Sequence, residues 1–312
     1  MKNNNTCLSL SLLLKKKVSG FLKGEKSFVI KATTGESFEY MMPSPGQNES
    51  FIAFAPPKSG STLLYKLLSD VCVASGVVVI DLPTASFKNG IRPVDLTESI
   101  APVFVPYGYA YLGWRHYPQQ VKNNLQAMKI ILLVRDPRDM LVSLYYSKAF
   151  SHPAPKHGSA RDLLLKDREL AQEADINKWV CKHTSQYKKV FESYLTNLSS
   201  DKTQVYRYED VIFRKQEWLA DMLVYLNIDL PRKSIAAIAD RHDIRPEKEN
   251  PGAHVRQVSP GNYLNKLQPD TIEFLNNELG EILKRFGYVD PVEENGIICF
   301  APQGQISRSI LI

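Results

Sequence analysis

The sequence predicts an α/β fold, a three-layer sandwich whose central, mainly parallel sheet is flanked by helices. Three observations carry this. Apolar runs of strand type recur at Phe51–Phe54, Val77–Ile80, Met128–Val134 and Thr203–Tyr208, and stretches with helical apolar spacing separate them. Strand, helix, strand in that order implies right-handed parallel units. The first run also passes through a turn carrying a Lys, a Gly and three hydroxyls directly into a helix, Pro56-Pro57-Lys58-Ser59-Gly60-Ser61-Thr62-Leu63.

With 312 residues the chain can bury a large core, and 44% hydrophobic with 23% charged residues is ordinary for a globular protein. A net charge of +6 is mild and diffuse. It favours anionic ligands and does not argue for nucleic acid as a partner. Cys7, Cys72, Cys181 and Cys299 are too widely spaced for a zinc site or a disulfide framework, so a reducing, cytoplasmic setting is expected.

Residues 1–48 read as a loosely ordered leader. Leu8, Leu10 and Leu12–Leu14 precede Lys15–Lys17, so the basic run follows the apolar one, the reverse of a secretory signal. The apolar stretch is also too short to span a bilayer, so no transmembrane segment is expected. Pro43–Gly46 marks the boundary to a domain over residues 49–290, and residues 291–312 form a tail without assignable chemistry.

Within the domain, Pro56 and Pro57 stiffen the entrance to the first turn, and the N–H groups from Lys58 to Thr62 can converge on an anion at the helix start. Lys58 adds positive charge. A phosphate at one end of a nucleotide suits this site, and a solvated loop with a helix cap is the plain alternative. The ATP-binding loop needs a Gly immediately before the Lys, where this chain has Pro57, which argues against ordinary kinase chemistry.

The first helix is predicted from Ser61 to near Ser75, ended by Gly76. Residues 82–108 read as loops. His116 follows the strand-like run Tyr109–Trp114, and Tyr107, Tyr109, Tyr111, Trp114 and Phe150 are candidates either for an apolar acceptor pocket or for core. Arg135 stands at the carboxyl end of Met128–Val134, where open sheets bind ligands, and Asp136-Pro137 is a helix-start signal. Arg138 reads as a surface charge beside that cap. Residues 151–175 read as a mobile surface segment, and His152 and His157 within it lack partners for a metal site. Helices follow around Trp179–Tyr194, 215–227, 232–240 and 269–286.

Pro57–Thr62 resembles the phosphosulfate-binding loop of sulfotransferases that use 3′-phosphoadenosine 5′-phosphosulfate (PAPS). The His116-Tyr117-Pro118 setting is similar to the segment carrying that family's catalytic base, with Trp114 where the family has a Lys. Arg135 and Ser143 keep the spacing of its 3′-phosphate ligands. Tyr208-Glu209-Asp210 resembles its adenine-contacting Tyr-Glu-Asp, and His254–Tyr263 aligns with its Arg-Lys-Gly…Gly-Asp-Trp segment, placing Arg256 on the phosphate-binding Arg. Leu63 and Ile244 replace aromatic residues, and Gln257 and Val258 replace the Lys and Gly.

The resemblance covers about residues 51–288 in matching order. It implies a P-loop-like fold and transfer of the sulfonyl group of PAPS to a hydroxyl or amine of a small-molecule or lipid acceptor, giving adenosine 3′,5′-bisphosphate (PAP). In that reading His116 is the base, Lys58 stabilises charge on the bridging oxygen, and Lys58, Ser59, Gly60, Ser61, Thr62, Arg135, Ser143, Tyr208 and Arg256 bind the co-substrate. No metal is required. A nucleotide kinase of similar fold and a non-catalytic nucleotide-binding module are the rival readings, and the sequence does not indicate an oligomeric state.

Overall fold

The computed structural model describes residues 26–154, 159–253 and 255–288, with the backbone of Glu293–Glu294 and Ile297–Ile298. His157, His254 and most of the leader and tail lie outside the described residues. The first element is one that the sequence reading did not assign. Strands β1 (Lys26–Lys31) and β2 (Ser37–Met42) form an antiparallel hairpin. Its Ile30, Phe38 and Met42 join the main core, so this part of the 1–48 leader is ordered structure. Exposed Val29 and Met41 blur the apolar alternation, which hid the strands.

The central sheet comprises β3 (Phe51–Phe54), β4 (Val78–Ile80), β5 (Tyr109–Trp114), β6 (Lys129–Val134) and β7 (Thr203–Arg207), in the order β4-β5-β3-β6-β7. All its pairings are parallel, as the apolar runs predicted. Alternate residues supply two cores. Ile52, Phe54, Ile130, Leu132 and Val134 face one side, whereas Phe51, Ala53, Ile131 and Leu133 face the other.

Helices α1 (Ser61–Ser75), α2 (Leu82–Lys88), α3 (Pro137–Tyr146), α4 (Ser159–Glu173), α5 (Ile176–Asn197), α6 (Lys215–Leu226), α7 (Arg232–Arg241) and α8 (Pro269–Arg285) complete the layers. Leu64 and Leu67 of α1, Trp218 of α6 and Ile238 of α7 cover one face. Met140 of α3, Phe191 of α5 and Leu279 of α8 cover the other.

Two expectations change. Residues 82–108 are not all loop, because Asp81 caps α2 by accepting from the Thr84 N–H at 3.0 Å, and Pro83 opens that helix rather than breaking it. Ser159–Glu173, expected to be mobile, is helical, and Leu164 and Ala171 bury one side of it in spite of its charge. Among the described residues no helix is long and apolar enough to cross a membrane.

Parallel strands place their carboxyl ends on one edge. Lys58 follows β3, Arg115 and His116 follow β5, Arg135 follows β6 and Tyr208 follows β7, so four separate chain segments deliver polar groups to the same edge.

Candidate active site

The turn after β3 has a tightly set backbone. Lys58 (φ 71°) and Gly60 (φ 100°) both take left-handed conformations, and Gly60 is the residue that caps α1. A Cβ on Gly60 would meet the Tyr208 ring at 3.0 Å and Leu133 at 3.2 Å, so a side chain there is crowded as well as strained by the positive φ. Ser59 does not line the cleft. Its N–H and its Oγ both donate to the Pro56 carbonyl, at 3.1 and 2.8 Å, and its side chain is fully buried. Ser59 therefore shapes the turn, while Lys58, Gly60, Ser61 and Thr62 line the adjoining cleft. The Tyr187 hydroxyl donates to the Pro57 carbonyl at 2.9 Å and ties the turn to α5.

Another part of the cleft lining comes from α3 and the residue that precedes its cap. Asp136 caps that helix through the Arg138 N–H at 2.9 Å, with Pro137 in the first turn, as the sequence predicted. Arg135 is 5% exposed, bonds to Asp139 Oδ2 at 3.0 Å and lies 4.6 Å from the Tyr208 ring centroid. Its Nε is buried without a hydrogen-bond partner. Ser143 lies two turns farther along α3 and lines the same cleft. Arg138 is not the surface charge expected. It is 2% exposed, donates to both Asp136 oxygens and to Asn276, and stacks over Tyr263, thereby joining α3 to α8.

Arg256 arrives on an irregular segment that several contacts hold in place. Asp139 accepts from the N–H groups of Gly261 and Tyr263, each at 2.9 Å. The Tyr208 hydroxyl donates to the Val258 carbonyl at 3.0 Å. Arg256 itself pairs with Glu249, donates to Asn262 at 2.8 Å and lies 4.4 Å from the Tyr146 ring centroid. Asp139 and Glu249 were not picked out from the sequence. The Arg135-Asp139 spacing of one helical turn was the available signal for the first, and nothing local marked the second.

The cleft encloses about 210 Å³. It brings together Lys58, Gly60, Ser61, Thr62, Arg135, Ser143, Tyr208 and Arg256, with Leu63 and Ile244 among its apolar lining. His116 does not line it. His152, passed over in the sequence, does. Tyr109, Tyr111 and Trp114 are core residues, with Tyr111 stacked on Phe104 at 4.6 Å, whereas Tyr107 and Phe150 are exposed. A smaller cavity of about 150 Å³ shares Ser61, Thr62 and Arg115 with the cleft, and Tyr65, Thr84 and Leu112 also line it.

Positive charge crowds the site. Burial, followed by repulsion from Arg115, Arg135 and Arg256, lowers the Lys58 pKa to about 8. Burial and then Arg115 lower His116 to about 4, so its imidazole is neutral at pH 7. Burial, then Lys58 and Arg115 among other cations, lowers His152 to about 4 as well. No group of three or more His, Cys, Asp or Glu suited to a metal occurs among the described residues.

The sulfotransferase domain family profile matches residues 48–281. Among solved structures, a mouse sulfotransferase complexed with PAP is similar at 17% identity and TM-score 0.45, covering 78% of this chain and 90% of that one. A retinol dehydratase in complex with retinol and PAP is similar at 13% identity and TM-score 0.51, covering 86% and 94%. A sulfotransferase domain from the curacin biosynthetic pathway is similar at 14% identity and TM-score 0.40, covering 79% and 99%. No curated protein matches the sequence. The retinol dehydratase comparison shows a shared fold, and the family match extends over most of the sheet, its helices and the residues lining the cleft: the chain belongs to the sulfotransferase domain family.

Proposed function

We propose that the sulfonyl donor is PAPS and that the acceptor is a hydroxyl or amine of a small molecule or lipid. The observation that carries the donor is a single cleft lined by Lys58 and the start of α1 together with Arg135 and Arg256. The residues present fit such a ligand. Arg135 Nε is a buried donor without a partner, and Ser143 lies on the same wall, so a phosphate oxygen would satisfy a group otherwise costly to bury. Apolar Leu63 and Ile244 can hold a base by contact without stacking.

PAPS supplies a sulfonyl group attached to its 5′-phosphate, and transfer breaks that S–O bond as the acceptor atom bonds to sulfur. Lys58 and the N–H groups at the start of α1 stabilise the negative charge that develops on the bridging oxygen. His116, neutral at pH 7, takes the acceptor proton. Arg135, Ser143 and Arg256 hold the 3′-phosphate, which distinguishes this donor from ATP.

Calorimetry tests the donor assignment. The protein is expected to bind PAP at least about tenfold more tightly than adenosine 5′-phosphate or ATP, since charge-assisted bonds to the 3′-phosphate contribute about 1.5–3 kcal/mol each. Equal affinity for nucleotides with and without the ribose phosphate would overturn the assignment.

A further inference from the structure

Arg256 belongs to a group of three charges. Its Nη1 pairs with one oxygen of Glu249, and Lys266 Nζ pairs with the other oxygen of the same carboxylate at 2.9 Å. Both cations also lie over one ring, since Arg256 Cζ is 4.4 Å and Lys266 Nζ 5.6 Å from the centroid of Tyr146, one turn beyond Ser143 on α3. Arg256 and Tyr146 line the cleft, whereas Glu249 and Lys266 do not.

The backbone brings these groups together. The Asn250 N–H donates to the Arg256 carbonyl at 3.0 Å and closes a loop that begins next to Glu249 and ends in Arg256. Lys266 is the last residue of a short helix, Asn262–Lys266, whose start Asp139 fixes through the N–H groups of Gly261 and Tyr263. Asn262 of the same helix accepts from Arg256 Nη2 at 2.8 Å.

Burial acts to raise the Glu249 pKa, but hydrogen bonds from Lys266 and Arg256 outweigh it and hold the carboxyl below its ordinary value, while the bond to Glu249 raises Lys266. Carboxylate and ammonium are therefore both charged at pH 7, and with the guanidinium the three groups carry one net positive charge. A carboxylate alone beside Arg256 would fix the side chain and also oppose the approach of an anion. Lys266 offsets that opposition. A guanidinium has five N–H groups, so the bonds to Glu249 and Asn262 leave others for a phosphate.

We propose that Glu249 and Lys266 are a positioning pair for the 3′-phosphate of the donor: the carboxylate holds Arg256 from beyond the cleft lining, and the ammonium offsets the charge of the carboxylate, so that the arginine is fixed without losing its pull on the anion. This rests on PAPS being the donor, with Arg256 on its 3′-phosphate.

Calorimetry tests the pair with PAP and adenosine 5′-phosphate, which differ only in the ribose phosphate. In Lys266→Met, PAP affinity is expected to fall about 3- to 10-fold, as for one partly screened charge, while adenosine 5′-phosphate changes less than about twofold. Adding Glu249→Gln to that variant restores the charge balance and keeps a hydrogen-bond acceptor for Arg256, so PAP affinity should return to within about threefold of wild type. Glu249→Ala is expected to weaken PAP alone, although it removes a negative charge, because Arg256 loses its support. A gain in PAP affinity in Glu249→Ala would make the carboxylate a competitor of the phosphate and overturn the proposal. So would unaltered PAP affinity in Lys266→Met, equal weakening of both nucleotides, or a double variant no better than Lys266→Met. Wild type that binds the two nucleotides equally would instead remove the donor assignment on which the pair depends.

Discussion

Arg135 and Asp139 form a 3.0 Å ion pair in which both side chains are almost completely buried, and the same carboxylate accepts the N–H groups of Gly261 and Tyr263. One residue thus orients the arginine of the cleft and anchors the segment that brings in Arg256. Removing its charge leaves a buried guanidinium uncompensated, a loss typically of about 3–5 kcal/mol. Asp139→Asn is expected to lower the melting temperature of the free protein and to gain more stabilisation from PAP than wild type does, because a bound phosphate replaces the missing charge. Unchanged melting would show that the pair is dispensable.

Gly60 is held by space and by backbone angle together. Gly60→Ala places a methyl group against Tyr208 and Leu133 at a φ of 100°, which costs an L-residue about 1–2 kcal/mol before any clash. The loop must move, and the N–H groups of the α1 start move with it. PAP affinity is expected to fall more than tenfold, with a modest drop in melting temperature. Retention of full affinity would mean that the loop is not the phosphate site.

The parallel sheet, the α1 start and the Asp136-Pro137 cap were legible because each is a local pattern: an apolar run, a turn composition, a capping pair. The placement of Arg135 and Tyr208 at the cleft was legible for the same reason, each lying at a strand end. Arg138 was misread since its partners include Asn276 and Tyr263, more than a hundred residues away, which no local spacing reveals. The inward turn of the Ser59 hydroxyl was not legible, because composition does not tell which hydroxyl folds back on its own turn. The β5 bulge opposite Ile52–Phe54 of β3 escaped notice too. A single Gly in a strand-like run marks a bulge only when the partner strand is known.

His116 and His152 compete for the role of base, and their positions separate them. Both are neutral at pH 7, and His152 lines the cleft whereas His116 stands beside Arg115 without lining it. With His116 as the base, His116→Ala is expected to lose about 10²–10⁴ in transfer rate, and His152→Ala less than tenfold. The rate should hold at pH 6 and fall only as pH drops towards the His116 value of about 4, since the base works unprotonated. The reverse ranking of the two variants would assign the base to His152.

Lys58 gives the binding step its pH dependence. In the free protein its pKa is lowered to about 8 by burial and by Arg115, Arg135 and Arg256. A bound anion favours the charged ammonium and raises that pKa, so the complex holds the proton to higher pH. Below about pH 8 the lysine is charged in both states and contributes no slope. Above it the free protein loses the proton that binding must restore, and PAP affinity should fall by up to about tenfold per pH unit until the complex itself titrates. Lys58→Arg keeps its charge throughout and should flatten this limb, whereas Lys58→Ala should bind weakly at every pH. Wild-type affinity that stays level up to pH ~10 would place the ammonium away from the phosphate.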